Sequence, residues 1–582
     1  MDEKWIMVLR EDTGQTEKVS LKEVFAHAGD YYDLAGEMKT QDFAVLRVLL
    51  AVLQTVFSRF DSEGIPYDFL EINENTFQQL EPVDRDDLPD EDPYFETWLN
   101  LWEKGKFPEI VQNYLEAWRD HFYLFDDKYP FYQVTPEEMK ELVEKNSKGE
   151  YGTLIYGKNI NRTISESGNK ITLFSPIIDA TKTKGIKNNL KNDQLVRWLI
   201  MYQGYSGTAD KAKVRKREAT EATYSKGWLY DLGGIYLKGH NLFETLMLNC
   251  ILSSDIDLKL DKMKVQIPSW ERSPLENIDI YFRNMVDNRA SLYTNWSRAI
   301  SFDKDFQDGM QFHCFVAKLP EINHIENFME PMTCWKWMEE NKNKKNIKHK
   351  YIPRRHNPNE AVWRHFNVLM GIGEEENKPC RQPGIISWYD SICENSSMRK
   401  LQRFKMAICT VSMRDDGNSN SWVPVDEIID EIQMETAVLI DNNKNGWVEL
   451  INTLVDNTRS RIEKTLVPFV RQISTIRGYD NKDYHFVEQE RERLYLEIDQ
   501  SFRDWLYEIK GTDSMNDKAL EWYRLLKEAI QNRGTELFRN TSFKDLKGIQ
   551  QKDKEFTNIA TAYNKFKRNI AVQFKFLQEG GK

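Results

Sequence analysis

The sequence predicts an α+β chain, in which a large, irregular mixed region is followed by an antiparallel bundle of long helices. Three observations lead there. The length of 582 residues exceeds what one hydrophobic core usually organises. Residues 1–422 alternate short strand-like runs with helical ones and are rich in Gly, Asn, Pro and aromatics. Across 423–582 apolar residues recur at helical spacing, with short polar breaks between the runs.

Taken in order, Met7–Leu21 reads as a β-hairpin with Gly14 in its turn. A helix follows, with Ser20 as N-cap and Glu23 closing a capping box. Phe43–Phe57 is apolar all round apart from Arg47 and Gln54. It falls short of the roughly 20 residues that span a bilayer, so it is expected to be a buried core helix. Glu81–Pro93 is an acidic surface loop, and Pro93–Phe107 and Ile110–Phe125 are helical. Glu144–Lys191, dense in Gly, Asn, Thr and Lys, suggests a loop that orders on assembly. The bundle is assigned Val425–Asn443, Gly446–Ile473, Lys482–Lys510, Ser514–Thr541 and Phe556–Leu577.

The start lacks a basic stretch leading into an apolar run, so no secretory signal is visible, and a soluble, cytoplasmic protein with no membrane partner is expected. Cys250, Cys314, Cys334, Cys380, Cys393 and Cys409 contain no C-x-x-C pair, which argues against a zinc or redox motif and for reduced, buried thiols. The nine histidines are isolated, and no phosphate-loop, nucleophile-elbow or metalloprotease signature is present. No catalytic residue, metal or cofactor is therefore assigned. A metal-dependent nuclease would have to use Asp126-Asp127 or Asp415-Asp416 with Mg²⁺.

The net charge of -12 traces to one segment. Asp61–Glu96 holds 13 acids and one base, Arg85, a local balance of -12 that leaves the rest of the chain neutral. Lys182–Arg217 carries ten bases against two acids, and Asn341–Arg355 seven against none. Residues 536–582 carry ten bases against five acids, so one face of the bundle is a candidate positive surface. Local field, not total charge, decides where phosphate docks.

Several segments, in this order, resemble the CasA family, the large subunit of type I-E CRISPR Cascade complexes. They are Trp5-Ile6, Leu21–His27, Phe43–Phe57, Phe122–Val134 (FYLFDDKYPFYQV), Asn169–Ser175, Gln203-Gly204 with Gly207, Lys238–Asn249 (KGHNLFETLMLN), Pro268–Glu271 (PSWE), Ser291–Ile300, Glu330–Thr333 (EPMT) and Met413–Trp422. The matched residues are largely aromatic and apolar and report fold more than function. The resemblance implies a mixed α/β N-terminal domain over 1–422 and a C-terminal four-helix bundle over 423–582. It also implies a non-catalytic subunit with three partners: the guide crRNA ribonucleoprotein, target double-stranded DNA and the system's helicase-nuclease. In such systems the guide reads sequence by pairing, and the protein reads the short adjacent motif, the PAM.

The resemblance places three DNA-reading elements on this chain. A glycine loop facing the minor groove falls on Gln203, Gly204, Gly207, Thr208 and Ala209, followed by Lys211, Lys213, Arg215, Lys216 and Arg217. The minor groove's pattern is degenerate, so such a loop should tolerate more than one PAM. The TAD at 208–210 departs from a more glycine-rich family pattern. A lysine finger falls on Lys304, with Arg298 as the alternative. A wedge that opens the first pair beyond the PAM falls on Arg414, Gly417, Asn418, Ser419 and Asn420, with Asp415 and Asp416 either pairing Arg414 or repelling the displaced strand. Leu173, Phe174 and Ser175 match the segment that meets the guide's end and a neighbouring subunit. Phe174 is either a stacking platform or a core residue. A protein scaffold without DNA contact is the third reading.

Overall fold

The computed structural model describes residues 1–84, 88–89, 92–161, 188–215, 222–252, 262–302, 306, 308–340, 348–372, 381–394, 401, 404–418, 422–479, 484–550 and 556–579. The chain forms two compact units. The first comprises Met1–Asn359, Gly371–Tyr389 and Ile408–Glu431; the second comprises Glu360–Met370, Asp390–Ala407 and Ile432–Lys582.

At the centre of the first unit lies the Lys39–Phe57 helix, buried from Thr40 to its end. It packs against the Asn192–Tyr205 and Arg289–Tyr293 helices. Arg47, which interrupts the apolar run in sequence, is buried on this helix. Its two terminal nitrogens donate to the two carboxylate oxygens of Glu330, at 2.8 and 2.7 Å. Just past the helix end, Arg59 forms the same fork with Glu271, at 2.8 and 2.9 Å. Burying an ion costs several kcal/mol unless the geometry and extra hydrogen bonds repay it. Both carboxylates have those extra bonds, from Trp228 Nε1 and Met332 N to Glu330, and from Tyr114 Oη to Glu271. The EPMT and PSWE motifs thus owe their acids to two buried arginines.

The N-terminal hairpin forms as expected. Ile6–Arg10 pairs antiparallel with Thr16–Val19 and, on its other edge, with Tyr31–Leu34. Gly14 takes the left-handed conformation in the turn (φ +63°), and the Ser20–Glu23 capping box is present. Two further three-stranded sheets follow. Arg298–Phe302 and Thr153–Tyr156 flank His313–Lys318 in one, and Pro424–Glu435, Lys405–Asp415 and Gly234–Lys238 form the other. The last corrects the sequence reading of Val425–Asn443 as helical. Its buried residues Ile432 and Met434 alternate with a period of two, while Val425 and Ile429 are exposed, the pattern of an edge strand. Only Thr436–Leu439 in that run is helical.

In the second unit, the run from Gly446 becomes two helices, Trp447–Lys464 and Leu466–Arg477, broken at Thr465 ahead of Pro468. His485–Glu508, Met515–Arg539 and Ile559–Gln573 follow and pack together, with Trp505 against Trp522 (ring centres 5.8 Å apart) and Phe469 against Phe566 (4.9 Å). Gly534 lets two of them approach closely, since a Cβ there would meet Phe566 Cε1 at 2.1 Å. The structure is therefore mixed helix and sheet with a C-terminal helical region.

Candidate nucleic-acid interface

The Asn192–Tyr205 helix ends where the first candidate element begins. Gln203 and Gly204 lie inside that helix and are buried, so neither is presented to a ligand. Gln203 ties three segments together: its Nε2 donates to the carbonyls of Arg298 (3.0 Å) and Tyr132 (3.3 Å). Its Oε1 accepts from Ser297 N (2.9 Å) and Arg298 N (3.0 Å). Gly204 is a packing residue, because a Cβ there would meet Leu229 Cδ1 at 2.6 Å. These two residues position the turn and are corrected from reader to support.

The turn itself, Ser206–Asp210, is held from beneath. Arg298, expected as an alternative finger, is instead fully buried with its guanidinium under the turn. It donates to the Gly207 carbonyl, to Ser225 O (3.3 Å) and to Asp210 Oδ1 (3.1 Å), and its Nε lies 2.8 Å from Asp210 Oδ2. Lys318 Nζ donates to the Thr208 carbonyl at 3.0 Å, and Gly227 N to the Ser206 carbonyl at 2.9 Å. Burial lowers the Lys318 pKa, with Arg298 and Lys213 pushing the same way and Asp210 opposing. Three successive carbonyls are thus turned inward. Among the described residues, the N–H groups of Gly207, Thr208 and Ala209 have no protein acceptor. The departure at 208–210 also acquires a reason: Asp210 is the inward counter-ion of Arg298. Gly207 and Thr208 are half-buried and Ala209 exposed, and exposed Lys211, Lys213 and Arg215 follow.

The second element is a hairpin between the Lys405–Asp415 and Pro424–Glu435 strands. Asp416 N donates to Val423 O (3.0 Å) and Trp422 N to Asn418 O (2.8 Å). Gly417 has φ +72°, and Trp422 holds the left-handed region at φ +45°, uncommon for a bulky residue. Both aspartates build the turn. Asp416 Oδ1 accepts from Asn418 N and Val423 N. Asp415 accepts from Gly417 N (2.9 Å) and from Arg355 Nη1 (2.6 Å). Burial alone would raise the Asp415 pKa, but the bonds from Arg355 and Gly417 outweigh it and hold the carboxyl below its usual range. Arg414 is exposed and faces Asp426 at 3.9 Å rather than either neighbouring acid.

Residues 225–227 join the two elements, and sequence reasoning missed them. Ser225 supplies a carbonyl to Arg298, and Gly227 supplies its N–H to the turn. Lys226 sits between them, its Nζ 2.7 Å from Asp231 Oδ1 and 4.6 Å from the centre of the Trp422 ring. Tyr230 Oη donates to the Trp422 carbonyl at 2.8 Å. No local pattern marks S-K-G as a junction, because its partners lie far along the chain.

Lys304, Ser419, Asn420, Leu173, Phe174, Ser175, Lys216 and Arg217 lie outside the described residues. In the helical unit, Ile559–Gln573 contains no acid and exposes Lys565, Lys567 and Arg568. Asp126 Oδ1 caps the N–H groups of Lys128 and Tyr129. Among the described residues no group of three or more His, Cys, Asp or Glu is placed to hold a metal ion.

Comparison with known proteins gives one family. Residues 1–532 match the model for CRISPR-associated protein Cse1. The CRISPR-associated protein CasA/Cse1 of Thermus thermophilus is 24% identical over 375 residues, which cover 64% of this chain and 59% of that relative's length. Among solved structures, Thermobifida fusca Cse1 aligns over 99% of this chain and 97% of its own, with a TM-score of 0.76 and 19% identity. A chain of a CRISPR RNA-guided surveillance complex aligns over 98% of each, with a TM-score of 0.52 and 13% identity.

Proposed function

The chain belongs to the CRISPR-associated protein Cse1 family, and on that premise we propose that it is the non-catalytic large subunit of a type I-E Cascade complex that reads the PAM in target double-stranded DNA. The observation that carries this reading is the Ser206–Ala209 turn: the carbonyls of Ser206, Gly207 and Thr208 accept from buried donors, while the N–H groups of Gly207, Thr208 and Ala209 have no acceptor among the described residues, beside exposed Lys211, Lys213 and Arg215. Backbone donors at a glycine can approach base edges that a side chain would keep away, and the cations favour phosphate nearby.

In this reading Arg414–Asn420 is the wedge that starts strand separation, next to a root where Arg355 holds Asp415 and Tyr230 and Lys226 hold Trp422. The acid-free face of the Ile559–Gln573 helix guides the displaced strand, and Leu173–Ser175 meets the guide's end. The complex then presents the opened DNA to the helicase-nuclease. Support for assembly on a crRNA comes from the likeness in fold to a chain of an RNA-guided surveillance complex.

The test compares binding of target duplexes with and without a PAM, by complexes with and without this chain. PAM-dependent affinity only in its presence is expected; equal affinity for both duplexes in its presence would sink the proposal. Metal-dependent cleavage by the isolated chain, lost on Asp→Ala at 126–127 or 415–416, would replace it with a nuclease. Unchanged binding of all DNA without the chain would leave a protein scaffold.

A further inference from the structure

We infer that Arg461 and Tyr523, in the second unit, form a carboxylate-binding site that takes an acidic side chain from an apolar segment of another polypeptide. The site lies where the Trp447–Lys464 and Met515–Arg539 helices meet the chain just after the Ile559–Gln573 helix. Arg461 is half-buried, and its guanidinium carbon sits over three rings. It is 4.5 Å from the centre of Tyr523, 5.4 Å from Phe574 and 5.2 Å from Phe576. No carboxylate or carbonyl among the described residues accepts from it, and its buried Nε has no partner. The other buried or half-buried arginines described in this unit, Arg364, Arg477, Arg491, Arg503 and Arg533, each bind a carboxylate.

Aromatic rings attract the cation through their faces, but they leave its in-plane N–H groups unpaired, which is costly away from water. Burial lowers the Arg461 pKa, with Tyr523 opposing. A bound anion would relieve both penalties. A second donor stands beside the first. Asn457 Nδ2 donates to Tyr523 Oη at 2.9 Å, and the phenol's own proton has no acceptor among the described residues. The planar guanidinium fork matches a planar carboxylate. A phosphate carries more charge to strip of water against the three rings. The surroundings point to a polypeptide as the source. Val572, two positions before Phe574, is 69% exposed, and Phe576 is half-buried. Arginine and aromatic side chains beside exposed apolar surface are what protein interfaces concentrate at their cores.

The test titrates the full chain with acetyl-Phe-Glu-Leu-amide and acetyl-Phe-Gln-Leu-amide, and separately with acetate and inorganic phosphate. The glutamate peptide should bind about tenfold more tightly than the glutamine one, as a charge-assisted fork predicts. Arg461→Met should abolish the difference, Arg461→Lys should keep part of it, and Tyr523→Phe should reduce it. Arg461 has no carboxylate to lose in the free chain, so Arg461→Met should leave the thermal unfolding midpoint unchanged or higher, which also shows that the variant is folded. Equal affinity for both peptides, or a preference retained in the folded Arg461→Met chain, would overturn the inference. Acetate binding as tightly as the glutamate peptide would overturn the polypeptide occupant. Phosphate displacing that peptide at equal concentration would overturn the choice of carboxylate. A lowered midpoint together with equal affinity for both peptides would make Arg461 a packing residue only.

Discussion

The Ser206–Asp210 turn and the Asp415–Val423 hairpin are both short loops of the first unit, yet they are held at opposite ends. The turn is gripped at its tip. Buried Arg298 and Lys318 bind the carbonyls of Gly207 and Thr208, so the backbone itself is set in one orientation. The hairpin is gripped at its root, where Arg355 holds Asp415, Asp416 caps the turn and Tyr230 and Lys226 fix Trp422. An element that reads with peptide groups needs those groups fixed. One that inserts a side chain between bases needs a firm base and reach. The two patterns of support match the two roles proposed for them.

The comparison can be broken from the inside of the turn first. Arg298→Met leaves the Asp210 carboxylate buried without its partner and should destabilise the first unit by about 3–5 kcal/mol. It should also abolish PAM-dependent binding, read by thermal unfolding alongside duplex affinity. Gly204→Ala drives a methyl into Leu229 and should cost about 1–3 kcal/mol of stability, with PAM selectivity reduced because the helix end that feeds the turn must shift. Gly207→Asp places a negative charge at the tip and should weaken PAM-dependent binding by roughly tenfold with little loss of stability.

Effects at the hairpin should be smaller in stability and kinetic in character. Arg355→Ala unpairs Asp415. Because the arginine is about one-third exposed, solvent screening limits the expected loss to about 1 kcal/mol. PAM binding should persist while R-loop opening slows, as followed by base-analogue fluorescence. Asn418→Ala with Asn420→Ala should also spare PAM binding and slow opening. Unchanged opening rates in both would move the wedge elsewhere. Arg414→Ala should change stability by less than about 0.5 kcal/mol, since its contact with Asp426 is long and exposed on both sides. Equal effects of the Arg298 and Arg355 substitutions on PAM affinity would erase the distinction between tip and root.

Features written within a few residues are legible in the sequence alone. Gly14 in its turn, the Ser20–Glu23 capping box, the buried Phe43–Phe57 segment and the long helices after Gly446 follow from local backbone preference and periodicity. Where an apolar pattern fits two periods, sequence misleads. Val425–Asn443 carries helical spacing, yet the adjacent Lys405–Asp415 strand supplies a ladder that makes most of it an edge strand.

What sequence by itself determined was therefore the kind of protein: a mixed α/β region with a helical end and a chain of family motifs in order. What tertiary structure decided was the partner of each charge. Arg47 looks like a flaw in an apolar helix and proves to be half of a buried fork with a glutamate 283 positions away. Arg298 looks like a finger and lies beneath the turn, while Lys226 and Lys318 carry no signal at all. A cation's role depends on which carbonyls and carboxylates the fold brings within about 3 Å, and that is set by contacts between distant segments rather than by neighbours in the chain.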